Sequence, residues 1–270
     1  MFNRVSCSVI AAAMTATTLF MAAQTATAQT TEPKADLQAL PASFLEMFLE
    51  LPPGLSKRTY FELITETGDI GFSDMILRSV ADEKTGTRYD YEHSMAFRSD
   101  DGTRVEAVVT AELSTKFRPR LVVTKQTVTR PNGEVSTNTI KTTFSNSRMV
   151  IDNPRNTDEP HRVVNIPNNT PVLAGLDAAV ELAQFDRQRS FILAEANPTA
   201  GRLDAFMGGA SPRDGGGLVV DVKRLRGGAI YRIELDEEGK LLRWDNIQSK
   251  FSIKRCSKER FEIVKTKVFQ

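Results

Sequence analysis

Histidines, cysteines and clustered carboxylates most often carry out catalysis or bind metals, and here few of them have a useful spacing. The two histidines, His93 and His161, lie 68 positions apart, which excludes a metal motif such as HExxH. The sequence also has no CxxC pair, no Gly-x-Ser-x-Gly elbow and no Walker loop. We therefore expect no catalytic residue, no metal site and no cofactor, and we interpret the protein as a non-enzyme.

A stripe of aromatic residues and methionine is the first candidate for ligand binding. Alternate positions of one predicted strand place five side chains on a single face: Tyr89, Tyr91, His93, Met95 and Phe97. This face either lines an apolar pocket or packs against an apolar helix predicted near 172–185, which carries Leu176 and Val180. These seven residues are the candidate ligand-binding residues, and ordinary core packing is the alternative.

A basic region near the C-terminus is the second candidate, as a surface for a partner. Lys254, Arg255 and Lys258 belong to a stretch in which basic and apolar residues alternate until the chain ends. The simplest interpretation is an edge strand at 260–268 whose lysines prevent pairing with other chains. The alternative is a positive strip that faces anionic lipid headgroups or an envelope protein.

The N-terminus has the pattern of a secretory signal peptide over residues 1–28. Arg4 precedes an apolar run from Val9 to Ala23, and Ala26-Thr27-Ala28 supplies the small residues of a cleavage site. The apolar run is short and interrupted by threonine, which favours cleavage over a membrane anchor. We expect export to the periplasm of a Gram-negative-type bacterium, or otherwise to the extracellular space.

Cysteine chemistry in the exported chain is limited to one residue. Cys7 would leave with the signal peptide, so Cys256 would be the single thiol, and an internal disulfide framework is excluded. The basic neighbours of Cys256 would favour the thiolate, whereas the alternative is a half-buried cysteine on a strand.

Composition excludes further classes of function. The chain has 35 Lys and Arg residues against 34 Asp and Glu residues, and this balance argues against a polybasic nucleic-acid-binding protein. Hydrophobic residues make up 40% of the chain, which excludes a wholly disordered protein. No stretch after the signal peptide is apolar for long enough to cross a bilayer, so we expect neither a nucleic-acid partner nor a transmembrane segment after cleavage.

Alternation of apolar and polar residues predicts strands over most of the remaining chain. Turn pairs such as Asp101-Gly102 and Asn132-Gly133 separate long alternating runs between Lys57 and Asp152, which is typical of hairpins. A Gly-rich loop is predicted at 208–217. Further strands are predicted at 189–195, 218–225, 229–235, 240–247, 250–255 and 260–268. Consecutive strands joined by short turns predict an antiparallel meander.

Two helices complete the predicted elements. Residues 29–56 form a linker with a short amphipathic helix at 42–51, which Pro52-Pro53 ends. The helix near 172–185 is apolar over a wide arc and should be buried against the sheet. Since large sheets curl to hide their edges, residues 57–270 are predicted to be one mainly β domain. Its sheet is a strongly curved antiparallel half-barrel or clam with one helix on the concave face.

Several turn segments between residues 57 and 247 resemble the periplasmic lipoprotein-carrier-like superfamily, including exported β-proteins of the DUF3108 type. The resembling segments are GDIGF at 68–72, RPR at 118–120, GGAIYR at 227–232, DEEGKLLR at 236–243, and the hairpins around 101–102 and 131–133. The resemblance implies an unclosed barrel with an apolar concavity for acyl chains. It transfers no catalytic residue.

These patterns lead to three hypotheses for function. The first is an exported, non-catalytic binding protein that holds a lipid or another apolar ligand in the concave face. The alternative is a structural or interaction module of the cell envelope that docks to a protein partner through a sheet edge or the basic C-terminal residues. A hydrolase that uses carboxylates or Cys256 is the third.

Overall fold

The computed structural model describes residues 48–65, 68–83, 86–166, 172–183, 185, 190–197, 201–225, 230–248 and 250–270. The predicted signal peptide and residues 42–47 of the predicted N-terminal helix lie outside these ranges. Residues 48–51 of that helix are described, and they are not helical. Phe48 instead forms a β-bridge to Ala183, and the Leu49 amide donates a 2.8 Å hydrogen bond to the Leu182 carbonyl.

Fifteen strands and two helices make up the regular structure of the described residues. The first eight strands are β1 (Ser56–Thr65), β2 (Gly68–Asp82), β3 (Gly86–Arg98), β4 (Arg104–Ser114), β5 (Pro119–Thr129), β6 (Val135–Phe144), β7 (Arg148–Asp152) and β8 (His161–Asn165). The others are β9 (Val172–Leu173), β10 (Ser190–Asn197), β11 (Arg202–Pro212), β12 (Leu218–Arg224), β13 (Ile230–Leu235), β14 (Leu241–Asn246) and β15 (Phe251–Cys256). The helices are α1 (Leu176–Val180) and α2 (Lys258–Phe269).

All fifteen strands belong to one unclosed sheet, which confirms the predicted mainly β fold. The strand order runs from β8 down to β1, then to β15, and from there down to β9. The first and last strands therefore pair in the middle of the sheet, with Leu63 opposite Ile253. Neighbouring strands are antiparallel, except that β9 pairs with β10 in parallel. Two meanders thus meet at the β1–β15 seam.

The concave face of this sheet carries the main apolar cluster. Side chains from β1 to β5 and from β10 to β15 meet there, and Ala178, Ala179 and Val180 of α1 belong to the same cluster. Burial of this face supplies most of the apolar surface that stabilises the fold.

The helix on the concave face is shorter than the predicted 172–185. Val172 and Leu173 form β9, and α1 begins only after Gly175 and ends at Val180. Gly175 has a φ of 69°, and a Cβ at this position would lie 3.3 Å from the Tyr91 ring. A left-handed residue interrupts a helix, so this glycine separates β9 from α1 and lets the chain approach Tyr91 closely.

The two ends of the sheet overlap. Met149 and Ile151 of β7 lie on the concave face, and they pack against Ala194 and Ala196 of β10. These two alanines lie on the face of β10 opposite Glu195, which points to the interior. The β9–β10 edge is therefore tucked inside the β6–β7 edge, and the sheet rolls up without a hydrogen-bonded closure between these described strands.

The predicted C-terminal edge strand at 260–268 is wrong, because these residues form α2. Phe261, Val264 and Val268 recur at helical spacing and are buried on the convex face against Phe72 and Ala96. Basic residues placed between apolar ones produce a sequence pattern similar to that of a strand. The positions that are buried in the structure, however, recur with a helical period. Neither α1 nor α2 is long and apolar enough to span a membrane.

The Gly-rich loop predicted at 208–217 is also shorter than expected. Gly208 and Gly209 belong to β11, which continues to Pro212. A Cβ at Gly208 would lie 2.3 Å from the Phe191 ring. Glycine at this position therefore makes room for a buried aromatic side chain of the neighbouring strand.

Candidate functional site

The predicted aromatic stripe lies on the concave face. All five of its side chains are buried, with exposed fractions from 0% at Tyr89 to 8% at Met95. Val180 is buried beside them, and Leu176 is the first residue of α1. The structure thus brings the stripe and the helix together, as the spacing predicts, and the stripe forms part of the core.

A hydrogen-bonded polar cluster lies within this apolar face. Ser73 Oγ lies 2.5 Å from His93 Nε2, and Asp177 Oδ2 lies 3.4 Å from His93 Nδ1. The Tyr91 hydroxyl donates to both Asp177 oxygens, at 2.8 and 2.9 Å. All four residues are buried. Sequence reasoning missed Ser73 and Asp177, because they lie on β2 and α1 and only the rolled topology brings them to His93.

This cluster joins its atoms in the order of a Ser-His-Asp hydrolase triad. Burial lowers the pKa of His93, while Asp177 and Asp74 oppose this shift, so the imidazole is neutral near pH 7 and able to accept a proton. Ser73, however, lies mid-strand between β1 and β3, opposite Phe61 and Met95. Its backbone N–H belongs to the sheet ladder and therefore supplies no oxyanion donor.

A second group of buried polar residues lies on β10 to β14. Three of its atoms have no hydrogen-bond partner among the described residues: Glu195 Oε1, the Tyr231 hydroxyl and Trp244 Nε1. We call Glu195, Tyr231 and Trp244 the interior polar site. Their side chains are 2% to 7% exposed, and the Tyr231 and Trp244 ring centroids are 6.2 Å apart.

The electrostatics of the interior polar site favour neutral side chains. Burial, reinforced by Asp204 and Asp177, raises the pKa of Glu195 to about 8. Burial also raises the pKa of Tyr231 to about 12. Arg224 is the nearby buried cation, and its Nη1 lies 3.7 Å from Asp204 Oδ2. Glu195 is therefore largely protonated at neutral pH and able to act as a hydrogen-bond donor.

The three residues of the predicted basic partner surface do not share one environment. Arg255 Nη1 lies 3.2 Å from Oε1 of the buried Glu181, whose Oε2 lies 2.7 Å from Lys57 Nζ. Arg255 thus helps to anchor the segment after α1. Lys254 and Lys258 are exposed, but β15 lies between β1 and β14 rather than at an edge.

Cys256 and His161, the remaining candidates for a nucleophile or a metal ligand, lie on different strands, β15 and β8. Cys256 is half-buried at the end of β15 and packs beside the apolar residues under α2, as the strand alternative for this cysteine predicts. His161 is exposed on β8, and its Nδ1 lies 2.7 Å from Asp152 Oδ1. Across the described ranges, no three His, Cys, Asp or Glu side chains are placed to hold a metal ion.

No family model and no curated protein matches this chain. Among solved structures, the chain is similar to a beta-barrel-like protein of domain of unknown function DUF1849 from Brucella abortus, with 12% sequence identity and a TM-score of 0.47. The likeness covers 76% of this chain and 96% of that one. The beta-barrel-like architecture rests on the sheet described above, and the lipoprotein-carrier-like resemblance stays a proposal.

Proposed function

We propose that this protein is an exported, non-catalytic binding protein that holds a lipid or another apolar ligand inside the rolled sheet. The observation that carries the proposal is the number of strands around the interior. A barrel of about eight strands is already wide enough for side chains alone to fill it. Here the fifteen strands of the described residues, which overlap at β6–β7 and β9–β10, surround a helix of five residues.

The chemistry of the concave face supports an apolar ligand. Its main cluster contains aromatic and branched aliphatic side chains from both meanders, together with Met75 and Met95. Methionine side chains adapt to irregular apolar partners, and pockets for small molecules are mostly apolar with few polar groups. The resemblance to lipoprotein-carrier-like proteins, which implies an acyl-chain concavity, supports the same role.

Trp244 permits a direct test, because it is the single tryptophan of the chain and is buried on the concave face. Fatty acids and phospholipids with brominated acyl chains quench tryptophan fluorescence on contact. We expect saturable quenching of the delipidated protein, a rise in its melting temperature, and lipid in the protein purified without delipidation. Absence of all three effects would overturn the proposal.

A matched pair of variants separates interior binding from adsorption to the surface. Ala111 is buried on the concave side of β4, whereas its neighbour Thr110 is exposed on the other side. We expect Ala111→Phe to weaken lipid binding at least tenfold by filling the interior, and Thr110→Phe to leave it unchanged. If Ala111→Phe lacks the circular dichroism spectrum of the folded protein, Ala107→Leu replaces it in the same binding test. It is a smaller change at another buried position on the same face.

Docking to an envelope protein is the alternative proposal, and the exposed Lys254 and Lys258 support it. The double variant Lys254→Glu/Lys258→Glu should then lose a partner that the unmodified protein captures from an envelope extract. Arg255 is left unchanged, because it pairs with the buried Glu181. Unchanged capture would count against these lysines as the docking surface.

The triad-like order of Ser73, His93 and Asp177 favours a hydrolase as a third candidate. A fluorophosphonate probe distinguishes it, since the probe labels only an activated and accessible serine. We expect no labelling of Ser73, which is buried and lies mid-strand. Labelling that disappears in Ser73→Ala would overturn the non-catalytic proposal.

A further inference from the structure

The interior polar site has hydrogen-bonding capacity that the described protein atoms do not use. Buried polar groups in folded proteins almost always have a partner, yet three such groups without one occur on β10, β13 and β14 of the same sheet. Resting on the binding role proposed above, we propose that the interior polar site binds an uncharged, oxygen-bearing group, a hydroxyl or an ester, at one end of an apolar ligand.

The strand registers place the three residues on the same concave face between β10 and β14. Tyr231 on β13 lies diagonally to Trp244, since Ile233 is directly opposite Trp244 on β14. Glu195 on β10 is directly opposite Asp204 on β11, and Asp204 in turn lies beside Arg224 on β12. The charges of Glu195, Asp204 and Arg224 all act on the Tyr231 hydroxyl. The site therefore extends along the concave wall from β10 to β14, beside the apolar cluster of which Tyr231 and Trp244 are also members.

The free atoms define the chemistry of the group that would satisfy them. The Trp244 N–H can only donate a hydrogen bond, so its partner must carry an acceptor. The Tyr231 hydroxyl and a protonated Glu195 can each donate as well as accept. A hydroxyl or an ester oxygen meets these requirements, and an ammonium group does not because it has no acceptor.

The charges around the site disfavour an anionic headgroup. Asp204 and Asp177 act on Glu195 with sufficient repulsion to help raise its pKa to about 8. The buried cation Arg224 lies 3.7 Å from Asp204, and the more exposed Arg202 lies 2.8 Å from the same carboxylate. Both arginines are therefore already paired with an acidic group, and a carboxylate or phosphate would have to compete with Asp204 for them. The acyl chain of a neutral amphiphile would instead lie along the apolar concave face.

The test compares three amphiphiles of equal, brominated acyl-chain length by quenching of Trp244: a monoacylglycerol, a fatty acid and an alkylamine. We expect the monoacylglycerol to bind at least tenfold more tightly than the other two. If none of them binds, the proposed function itself fails. If all bind equally, or if the acid or the amine binds most tightly, the function stands and the inference about the polar group is overturned.

A second arm uses Tyr231→Phe, which removes one free hydroxyl and retains the ring and Trp244. We expect monoacylglycerol binding to weaken about fivefold and fatty-acid binding to stay the same. Tyr60→Phe on the convex side of β1 is the control and should change neither affinity. Because the Tyr231 hydroxyl has no protein partner among the described residues, the urea midpoint of Tyr231→Phe should not fall. A lower midpoint, or an equal loss for both ligands, would overturn the assignment.

Discussion

The buried carboxyl of Glu195 gives the protein a defined dependence of stability on pH. Its pKa is raised from 4.5 to about 8 by burial, with contributions from Asp204 and Asp177, while Arg224 opposes the shift. Between these two pKa values the folded state holds a proton that the unfolded state releases. Glu195 therefore makes the free energy of unfolding fall as pH rises from about 4.5 to 8, by at most about 1.4 kcal/mol per pH unit.

The variant Glu195→Gln removes this titration while keeping nearly the same shape. In urea unfolding at pH 5, 6, 7 and 8, we expect the variant to gain stability relative to the unmodified protein as pH rises. The difference in unfolding free energy between the two proteins at each pH cancels the contributions of other groups. One such group is His93, whose lowered pKa reduces stability as pH falls below 6.5. A difference that is constant with pH would show that Glu195 is ionised in the folded protein.

The Tyr91 hydroxyl stabilises a carboxylate that is completely removed from water. Tyr91→Phe deletes the donor to both oxygens of Asp177, which has an exposed fraction of 0%. We expect a loss of about 1–3 kcal/mol in the free energy of unfolding, measured with urea. Tyr89→Phe is the control, because the Tyr89 hydroxyl accepts only from the amide of half-buried Leu51, where water can substitute. Equal losses for both variants would contradict this role.

Individual residues show which parts of the site a sequence can reveal. The spacing of Tyr91, His93 and Met95 placed them on one buried face, because strand periodicity is local. Asp177 and Glu195 gave no such signal, because distant parts of the chain must meet before Asp177 contacts Tyr91 and His93 or Glu195 shares a wall with Tyr231. Long-range pairing, and not residue type, determines both polar clusters.

At the scale of elements, α2 acts as a cover for the convex face. Phe261 packs between Tyr60 and Phe72, with ring centroids 4.9 and 5.1 Å away. Phe261→Ala should lower the free energy of unfolding by about 3 kcal/mol, through lost burial and the cavity that remains. Ile263→Ala on the exposed side of the same helix, 52% exposed, should change it by less than about 0.5 kcal/mol. Equal effects would mean that α2 is not docked in solution.

The elements also show where pattern reasoning succeeds and fails. The strands between Lys57 and Asp152 follow their predicted alternation because each has one buried and one exposed face. At 260–268 the apparent alternation was misleading, because charged residues flank Phe261 and separate it from Ile263, whereas the buried residues Phe261, Val264 and Val268 follow a helical spacing. The Ser257 cap, whose side chain accepts from the Arg260 amide, was the local signal for a helix start.

At the scale of the whole molecule, the rolled sheet is covered unevenly, and its stability should vary accordingly. The seam of β1 and β15 lies mid-sheet, with apolar clusters beneath it and α2 packed on the convex face of β1 and β2. At the other extreme, β8 is an edge strand of five residues whose side chains are mostly exposed. The overlap of β7 with β10 depends on side-chain packing, which lacks the directional hydrogen bonds of a ladder.

Amide hydrogen exchange tests this gradient directly, because local opening releases amides in cooperative units of different stability. We expect amides of β1 and β15 to exchange only through global unfolding and those of β7 and β8 to exchange much faster. An apolar ligand that enters where the sheet ends overlap should slow exchange in β7 and β10 and leave the seam unchanged. Uniform protection across all strands would instead indicate a sheet that opens only as a whole, and a ligand would then have to enter through an end of the roll.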